Sequence, residues 1–234
     1  MREAEAERWL EKYSTRDVGR LNYQDLWACV SGEWQASQGG CQAWLTYAAN
    51  YLLNYDGFKF ALDPFSMSSR VPGIRAPDYL RDLHVLSVVL LSHEHNDHLD
   101  TELIKALHQA KVTWVIPSYL QEFLVSRAAL PTGEILTPQP GQRLTVGPLT
   151  IIPFDSLHLN GRHGVSETGY LLECGGKRWL FPGDIRNYDA TQLPEFGPLN
   201  GIFAHLWLGK GCALEDQPPL LDEFCDFFTH FAAD

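Results

Sequence analysis

Apolar side chains recur along this chain with two periods, and after residue 40 the shorter one comes first. Residues 44–48, 51–53 and 58–62 place aromatic and aliphatic side chains at strand spacing, which predicts strands. Residues 86–91 form an unbroken apolar run with the length and branching of an interior strand. The spacing then lengthens. Leu103, Ile104 and Leu107 share one face of a helix predicted over 101–110, and Asp100 stands where its N-cap belongs. A strand over 112–116, closed by Pro117, precedes a second helix over 119–129, marked by Leu120, Phe123 and Leu124. Gly141, Gly147 and Pro148 punctuate strands at 143–146 and 149–154. Strands at 169–173 and 178–181 are joined across Gly175-Gly176, a turn pair that accepts positive φ. A strand at 201–206 and a helix at 220–231 close the sequence. Paired strands with helices between and after them predict an α+β fold, two sheets face to face with helices outside.

The first forty residues differ in character. They contain a short amphipathic stretch at 3–13 and the large apolar rings of Trp9, Trp27 and Trp34, which must be covered by something. The expectation is an appendage over 1–41 packed on a body formed by 42–234.

Composition narrows the partners. The 234 residues are 45% hydrophobic, enough for a sizeable core, and carry a formal net charge of -11. That charge disfavours nucleic acid and anionic membranes, which are held by clustered Lys and Arg, and points to a small-molecule substrate. The charged start, Met1 to Arg8, does not read as a secretory signal, and no apolar run reaches membrane-spanning length. Five cysteines, with no CxxC pair, read as thiols of a reducing cytoplasm. Cys212 is read as one of them rather than as a ligand. The sequence does not fix the oligomeric state.

Candidate chemistry concentrates in Ser92-His-Glu-His-Asn-Asp-His-Leu-Asp100. His93, His95, Asp97 and His98 fall within six positions, directly after a predicted interior strand and before a helix. Few side chains ligate borderline metals, and four of them on a loop anchored at both ends predict a metal site. Further ligands are expected at other strand ends. Asp184 follows a strand, and Gly183 beside it permits a tight turn; His158 follows the strand at 149–154 and is preferred to His163, which is flanked by glycine-rich loop. Asp63, before Pro64, is placed to orient a ligand imidazole or to tie loop amides.

Together these residues resemble the metallo-β-lactamase superfamily, whose H-x-H-x-D-H signature the loop matches at every defined position. The resemblance runs from about Gln42 to the C-terminus and implies a four-layer αββα sandwich with metal in a cleft at one sheet edge. It also implies that His93, His95 and His158 hold a first ion, Asp97 and His98 a second, and that Asp184 bridges them. Zinc suits this set, as one or two ions, with manganese or iron as alternatives. Such ions lower the pKa of bound water toward neutrality, so hydrolysis of a small ester, lactone or phosphodiester is the expected reaction. Asp97 would orient the attacking water and carry a proton.

Two features qualify the resemblance. Members usually carry a further histidine on a strand after the helix that 220–231 resembles, so the fold is expected without its last strand: either that ligand is missing or the sequence stops short of it. His205 is read as lining the cleft, with substitution for the missing ligand as the alternative. Within the superfamily, Leu62-Asp-Pro64 and the histidine loop resemble the group of ascorbate-6-phosphate lactonase-like and N-acyl-phosphatidylethanolamine phospholipase D-like hydrolases. Arg162, Arg186 and Lys210 lie on loops around the expected cleft, and Arg186 and His205 are the candidates for substrate contact. The rival readings are an RNA-processing nuclease of the same fold and a non-catalytic module that has lost a ligand. An electron-transfer di-iron protein is disfavoured by His95, where that group has glutamate.

Overall fold

The computed structural model describes residues 23–70, 74–108, 110–128, 135–159, 164–205 and 221–231. The amphipathic stretch at 3–13, Trp9, Arg162, His163, Lys210 and Cys212 lie outside them. Strands β1 (Cys41–Leu45), β2 (Tyr51–Tyr55) and β3 (Phe58–Leu62) form an antiparallel meander. Onto it β4 (Val88–Leu90), β5 (Thr113–Val115) and β6 (Ile135–Leu136) add in parallel, giving a six-stranded sheet in sequence order. Parallel neighbours need crossovers. These carry the helices α2 (Tyr79–Asp82), α3 (Thr101–Leu107) and α4 (Ser118–Arg127). The second sheet is an antiparallel series of β7 (Leu144–Val146), β8 (Leu149–Asp155), β9 (Thr168–Cys174) and β10 (Lys177–Phe181), with β11 (Gly201–Ile202) parallel to β10.

Alternation along the strands decides which layer each side chain joins. Phe60 and Leu62 of β3, Val88 and Leu90 of β4, and Val115 of β5 face Leu149, Ile151, Tyr170 and Leu172 between the sheets. The alternate residues Ala61, Val89 and Trp114 turn outward and pack under Leu103, Ile104, Leu107, Leu120 and Leu124 of α3 and α4. Behind the second sheet, Leu171 and Leu180 meet Phe196, Leu199 and Phe227, the last carried by α5 (Leu221–Thr229). The layers are therefore helix, sheet, sheet, helix, the expected αββα sandwich. No helix among the described residues is long and apolar enough to cross a membrane.

A helix, α1 (Tyr23–Ala36), occupies the region read from sequence only as unclaimed aromatic surface. Its buried positions are Tyr23, Trp27, Ser31 and Trp34, a helical stripe that a serine interrupts. Trp34 is fully buried and donates its indole N–H to the Leu53 carbonyl at 2.9 Å; Trp27 donates to Asp82 at 3.0 Å. Emptying such a ring site costs about 3–5 kcal/mol, so α1 is bound firmly to the first sheet. The strand expected at 44–48 is displaced to Cys41–Leu45. Residues 46–49 instead form a turn closed by Asn50, whose carbonyl accepts from Thr46 N and whose Oδ1 accepts from Ala48 N, each at 2.9 Å. The helix expected over 101–110 ends at Leu107, and its cap is Asp100, which accepts from Leu103 N at 3.0 Å.

This topology gathers strand ends. The parallel pair β3 and β4 end on the same edge, and in the second sheet the ends of β8 and β10 flank the start of β9, where Asp155 pairs Thr168 and Phe181 pairs Tyr170. Thr168 N donates to the Ser92 carbonyl at 3.1 Å, which stitches the two sheets together at that edge.

Candidate metal centre

Among the described residues, Asp63, the histidine loop, His158 and Asp184 follow the ends of β3, β4, β8 and β10. Asp63 follows β3 with φ +44, left-handed backbone that aspartate tolerates better than most residues. What holds it there is its carboxylate, which accepts from Ser92 N at 2.7 Å, from Ser92 Oγ, and from His98 Nδ1 at 2.9 Å. The histidine loop after β4 is pinned from several sides. Tyr170 donates to the Leu91 carbonyl at 2.6 Å and Tyr119 to that of Ser92 at 2.5 Å, while Asn50 Nδ2 bridges the carbonyls of Asp63 and Asp97 at 2.8 and 2.9 Å. A loop so anchored presents its imidazoles with little freedom left to lose.

Three of those nitrogens converge. His95 Nδ1 lies 3.1 Å from His93 Nε2 and 3.0 Å from His158 Nε2, and ligand atoms of His93, His95, His158 and Asp184 all lie within 4.8 Å of one another. The tautomers follow from the outer partners. His93 Nδ1 lies 2.9 Å from the buried Glu167 carboxylate and 2.8 Å from Ser92 Oγ, whose own proton goes to Asp63; with Glu167 ionised, the His93 proton sits on Nδ1 and the Nε2 lone pair faces the cluster. On His158, Arg186 Nε donates to Nδ1 at 3.1 Å, which leaves Nε2–H to donate to His95 Nδ1. The lone pairs of His93 Nε2 and His95 Nδ1 then face each other at 3.1 Å without a second proton to share. A cation between them removes that conflict, and the nitrogen-rich set with one carboxylate suits a transition metal.

A second conflict of the same kind lies alongside. His98 is buried, its Nδ1 is taken by Asp63, and its Nε2 has no hydrogen-bond partner although Asp184 Oδ2 is 3.4 Å away. In the metal-free protein a proton meets this need: burial alone would lower the His98 pKa, but the Asp184 and Asp63 carboxylates raise it well above the ordinary 6.5. Burial would raise Asp184, yet the hydrogen bond from His205 and the nearby His98 imidazolium hold it far below the usual carboxylate range. The chain thus carries a cluster of histidines and carboxylates that could hold a metal ion.

The expected site residues do not all meet. His93, His95, His98, His158, Asp184 and Asp63 fall into the three groups of neighbouring ligand atoms; Asp97 falls into none among the described residues. Its carboxylate is drawn instead toward Arg70, with Nη2 3.6 Å away, and the guanidinium lies over the Tyr47 ring. Arg186, expected to hold a substrate anion, reaches the site but spends its Nε on His158. His205, expected to line the cleft, hydrogen-bonds through Nδ1 to Asp184 Oδ1. Glu167 was not foreseen. It is 3% exposed, it contacts His93, and both of its oxygens accept from Asp184 N at 3.0 Å, so one carboxylate fixes residues from two different strands. Its segment, Ser166-Glu-Thr-Gly169, matches no ligand pattern, and only the pairing of β8 with β9 brings it inward.

Two consequences can be measured. Gly183 has φ +86, and a Cβ there would lie 2.4 Å from Glu167 Cδ; Gly183→Ala is expected to destabilise the protein by about 2–4 kcal/mol, through strained backbone and displacement of that carboxylate. Thermal unfolding that is unchanged would contradict it. The second is a pH profile. His93 is held at about 3 and His158 at about 4, both chiefly by burial, against an ordinary 6.5. Below pH 6.5 the unfolded chain takes up protons that the folded imidazoles refuse, so acidification costs stability. Glu167, raised by burial and by the charge of Asp184 to about 7 from 4.5, opposes this between those values and has no further effect below 4.5. The metal-free protein should therefore lose stability most steeply below 4.5, where the depressed Asp184 adds its share. Denaturant titrations from about pH 7 to about pH 3 would show it, and a flat profile would contradict it.

An αββα body that gathers imidazoles and carboxylates at one sheet edge defines the metallo-hydrolase class. The chain belongs to the β-lactamase superfamily: a family model described as the beta-lactamase superfamily domain matches residues 63–223, more than half of the chain. A curated relative, N-acyl-phosphatidylethanolamine-hydrolyzing phospholipase D 1 of Caenorhabditis elegans, is 25% identical over 196 residues, which is 74% of this chain and 54% of the relative. The chain spans about half the length of that relative. Among solved structures, CmlA, a diiron beta-hydroxylase from Streptomyces venezuelae, superposes with a TM-score of 0.53 at 19% identity, covering 71% of this chain and 34% of CmlA. A metallo hydrolase from the archaeon Ignicoccus hospitalis gives 0.47 at 16% identity, covering 62% of this chain and 61% of its own.

Proposed function

We propose that this protein is a metal-dependent hydrolase of small substrates, with a phosphodiester as the leading class and an ester or lactone as the alternatives. The observation that carries the proposal is the convergence of His93 Nε2, His95 Nδ1 and His158 Nε2 beside Asp184, where the facing lone pairs of His93 and His95 suit a cation. The phosphodiester preference is supported by the relative named as an N-acyl-phosphatidylethanolamine-hydrolyzing phospholipase D. When bound, a divalent cation at these residues polarises a carbonyl or phosphoryl oxygen and brings the pKa of its water toward neutrality.

The chain's own groups divide the remaining work. Glu167 and Asp63 hold the His93 and His98 rings through their Nδ1 atoms, which fixes the nitrogens that face the centre. Asp184, on the turn that Gly183 permits, places a carboxylate between the three-imidazole group and His98. Asp97, one residue from His98 and paired with Arg70, is the carboxylate assigned to take and deliver the proton as water attacks and the leaving group departs. Arg186 is positioned beside His158 to attract an anionic substrate group once its Nε is released. Zinc, in one or two ions, fits the imidazole-rich donor set, with manganese and iron as substitutes. A cytoplasmic setting is supported by the free thiols Cys29, Cys41, Cys174 and Cys225.

The test is hydrolysis by the purified full chain of bis(para-nitrophenyl) phosphate, para-nitrophenyl acetate and a small lactone. Activity on at least one of them should disappear with a chelator and return with zinc or manganese. No metal-dependent acceleration on any of the three would refute the assignment.

A further inference from the structure

We infer that His205 is a ligand of a second cation subsite, formed with His98 and Asp184, in place of the Asp97 that the signature assigns to that role. The inference rests on the hydrolase reading above and adds to it the residue that closes the site. Its first ground is geometry: ligand atoms of His98, Asp184 and His205 all lie within 4.8 Å of one another, whereas Asp97 belongs to no such group among the described residues. The Asp184 carboxylate is divided between them, one oxygen bonded by His205 Nδ1 and the other 3.4 Å from His98 Nε2.

The second ground is independent of that cluster's shape. His98 Nε2 is a polar atom on a side chain only 1% exposed, and it has no hydrogen-bond partner. His98 also lines a small cavity together with Asp63, Gly183 and His205. Two imidazoles flanking a carboxylate, with one buried nitrogen unmatched, are a donor set that a divalent cation completes.

Position in the chain explains how His205 arrives there. It lies three residues past β11, and β11 runs parallel to β10, whose end carries Asp184. The two side chains therefore leave neighbouring strands at the same edge. Phe203, between them in sequence, stacks on Phe181 with centroids 4.0 Å apart and anchors the segment. Asp97 has meanwhile a partner of its own in Arg70.

The decisive experiment is a cobalt(II) titration of the full, chelator-stripped chain, followed by its absorption spectrum, for the wild type, His95→Ala, His205→Ala and His205→Cys. The wild type is expected to take up two equivalents in two phases. His205→Ala should keep the first phase and weaken the second by about a hundredfold or more. His205→Cys should show a thiolate-to-cobalt charge-transfer band in the near ultraviolet as the second phase fills, a signal that requires coordination and not merely an intact fold. A second phase unchanged in His205→Ala, or no such band in a folded His205→Cys chain, overturns the inference. Uptake of a single ion, lost in His95→Ala and untouched at residue 205, also overturns it but leaves the hydrolase reading standing. A wild type that takes up no cobalt removes both.

Discussion

Replacing His95 with alanine is expected to abolish metal binding at the three-imidazole group and to lower hydrolysis about a thousandfold or more. The size follows from the chemistry the cation supplies, since without it water remains far too weak an acid to ionise near neutral pH. His95 is the apt residue because its Nδ1 faces both other rings, at 3.1 and 3.0 Å, so its removal opens the centre rather than one side. It is also only half-buried, unlike His93 and His158, so the metal-free variant should fold as the wild type does. Zinc content and circular dichroism read the two parts separately. A folded His95→Ala chain that keeps its metal and its activity would contradict the assignment.

The second large effect is on stability. Glu167→Ala leaves Asp184 N–H without an acceptor, takes one partner from His93 Nδ1 and opens a hole behind the site. The expected loss is about 2–4 kcal/mol in the metal-free protein. Zinc affinity should fall by about 10- to 100-fold in addition, because the His93 ring and the Asp184 carboxylate lose their orientation. Glu167→Gln keeps the shape and one acceptor oxygen, so it should recover part of the stability and less of the affinity. Equal stability of wild type and Glu167→Ala would mean that the buried carboxylate is tolerated rather than used. Its pKa, raised by burial to about 7, makes that a real comparison.

The fold was legible where one rule governed. Residues 58–62 were read as a strand to the residue, because alternation there serves two different cores. The histidine loop was legible for a related reason: an interior strand, four potential ligands and a capped helix follow one another without interruption. Where two rules competed, the reading slipped. The aromatic stripe of α1 has helical spacing, but Ser31 falls within it and the exposed Leu26 lies off it, so periodicity alone does not single it out. Strand β1 was placed three residues late, since Trp44 and Tyr47 look alike in sequence and only pairing with β2 separates strand from turn. Residues 135–136 form a strand too short to show a period at all.

At the site, sequence spacing named ligand types but not their neighbours. Asp97 fits the signature by position, yet its carboxylate answers to Arg70, a residue 27 positions earlier that no local pattern connects to it. Glu167 and His205 enter through sheet pairing, the one across β8 and β9 and the other across β10 and β11. Such residues become visible only when the strands are laid side by side.

The central claim is that His93, His95, His158 and Asp184 surround a cation. Anomalous scattering from a crystal of the full chain grown with zinc tests it most directly. The account predicts a peak bounded by His93 Nε2, His95 Nδ1 and His158 Nε2, with Asp184 adjacent. Zinc held only by other residues, or the three rings closed on one another with no peak between them, would contradict it.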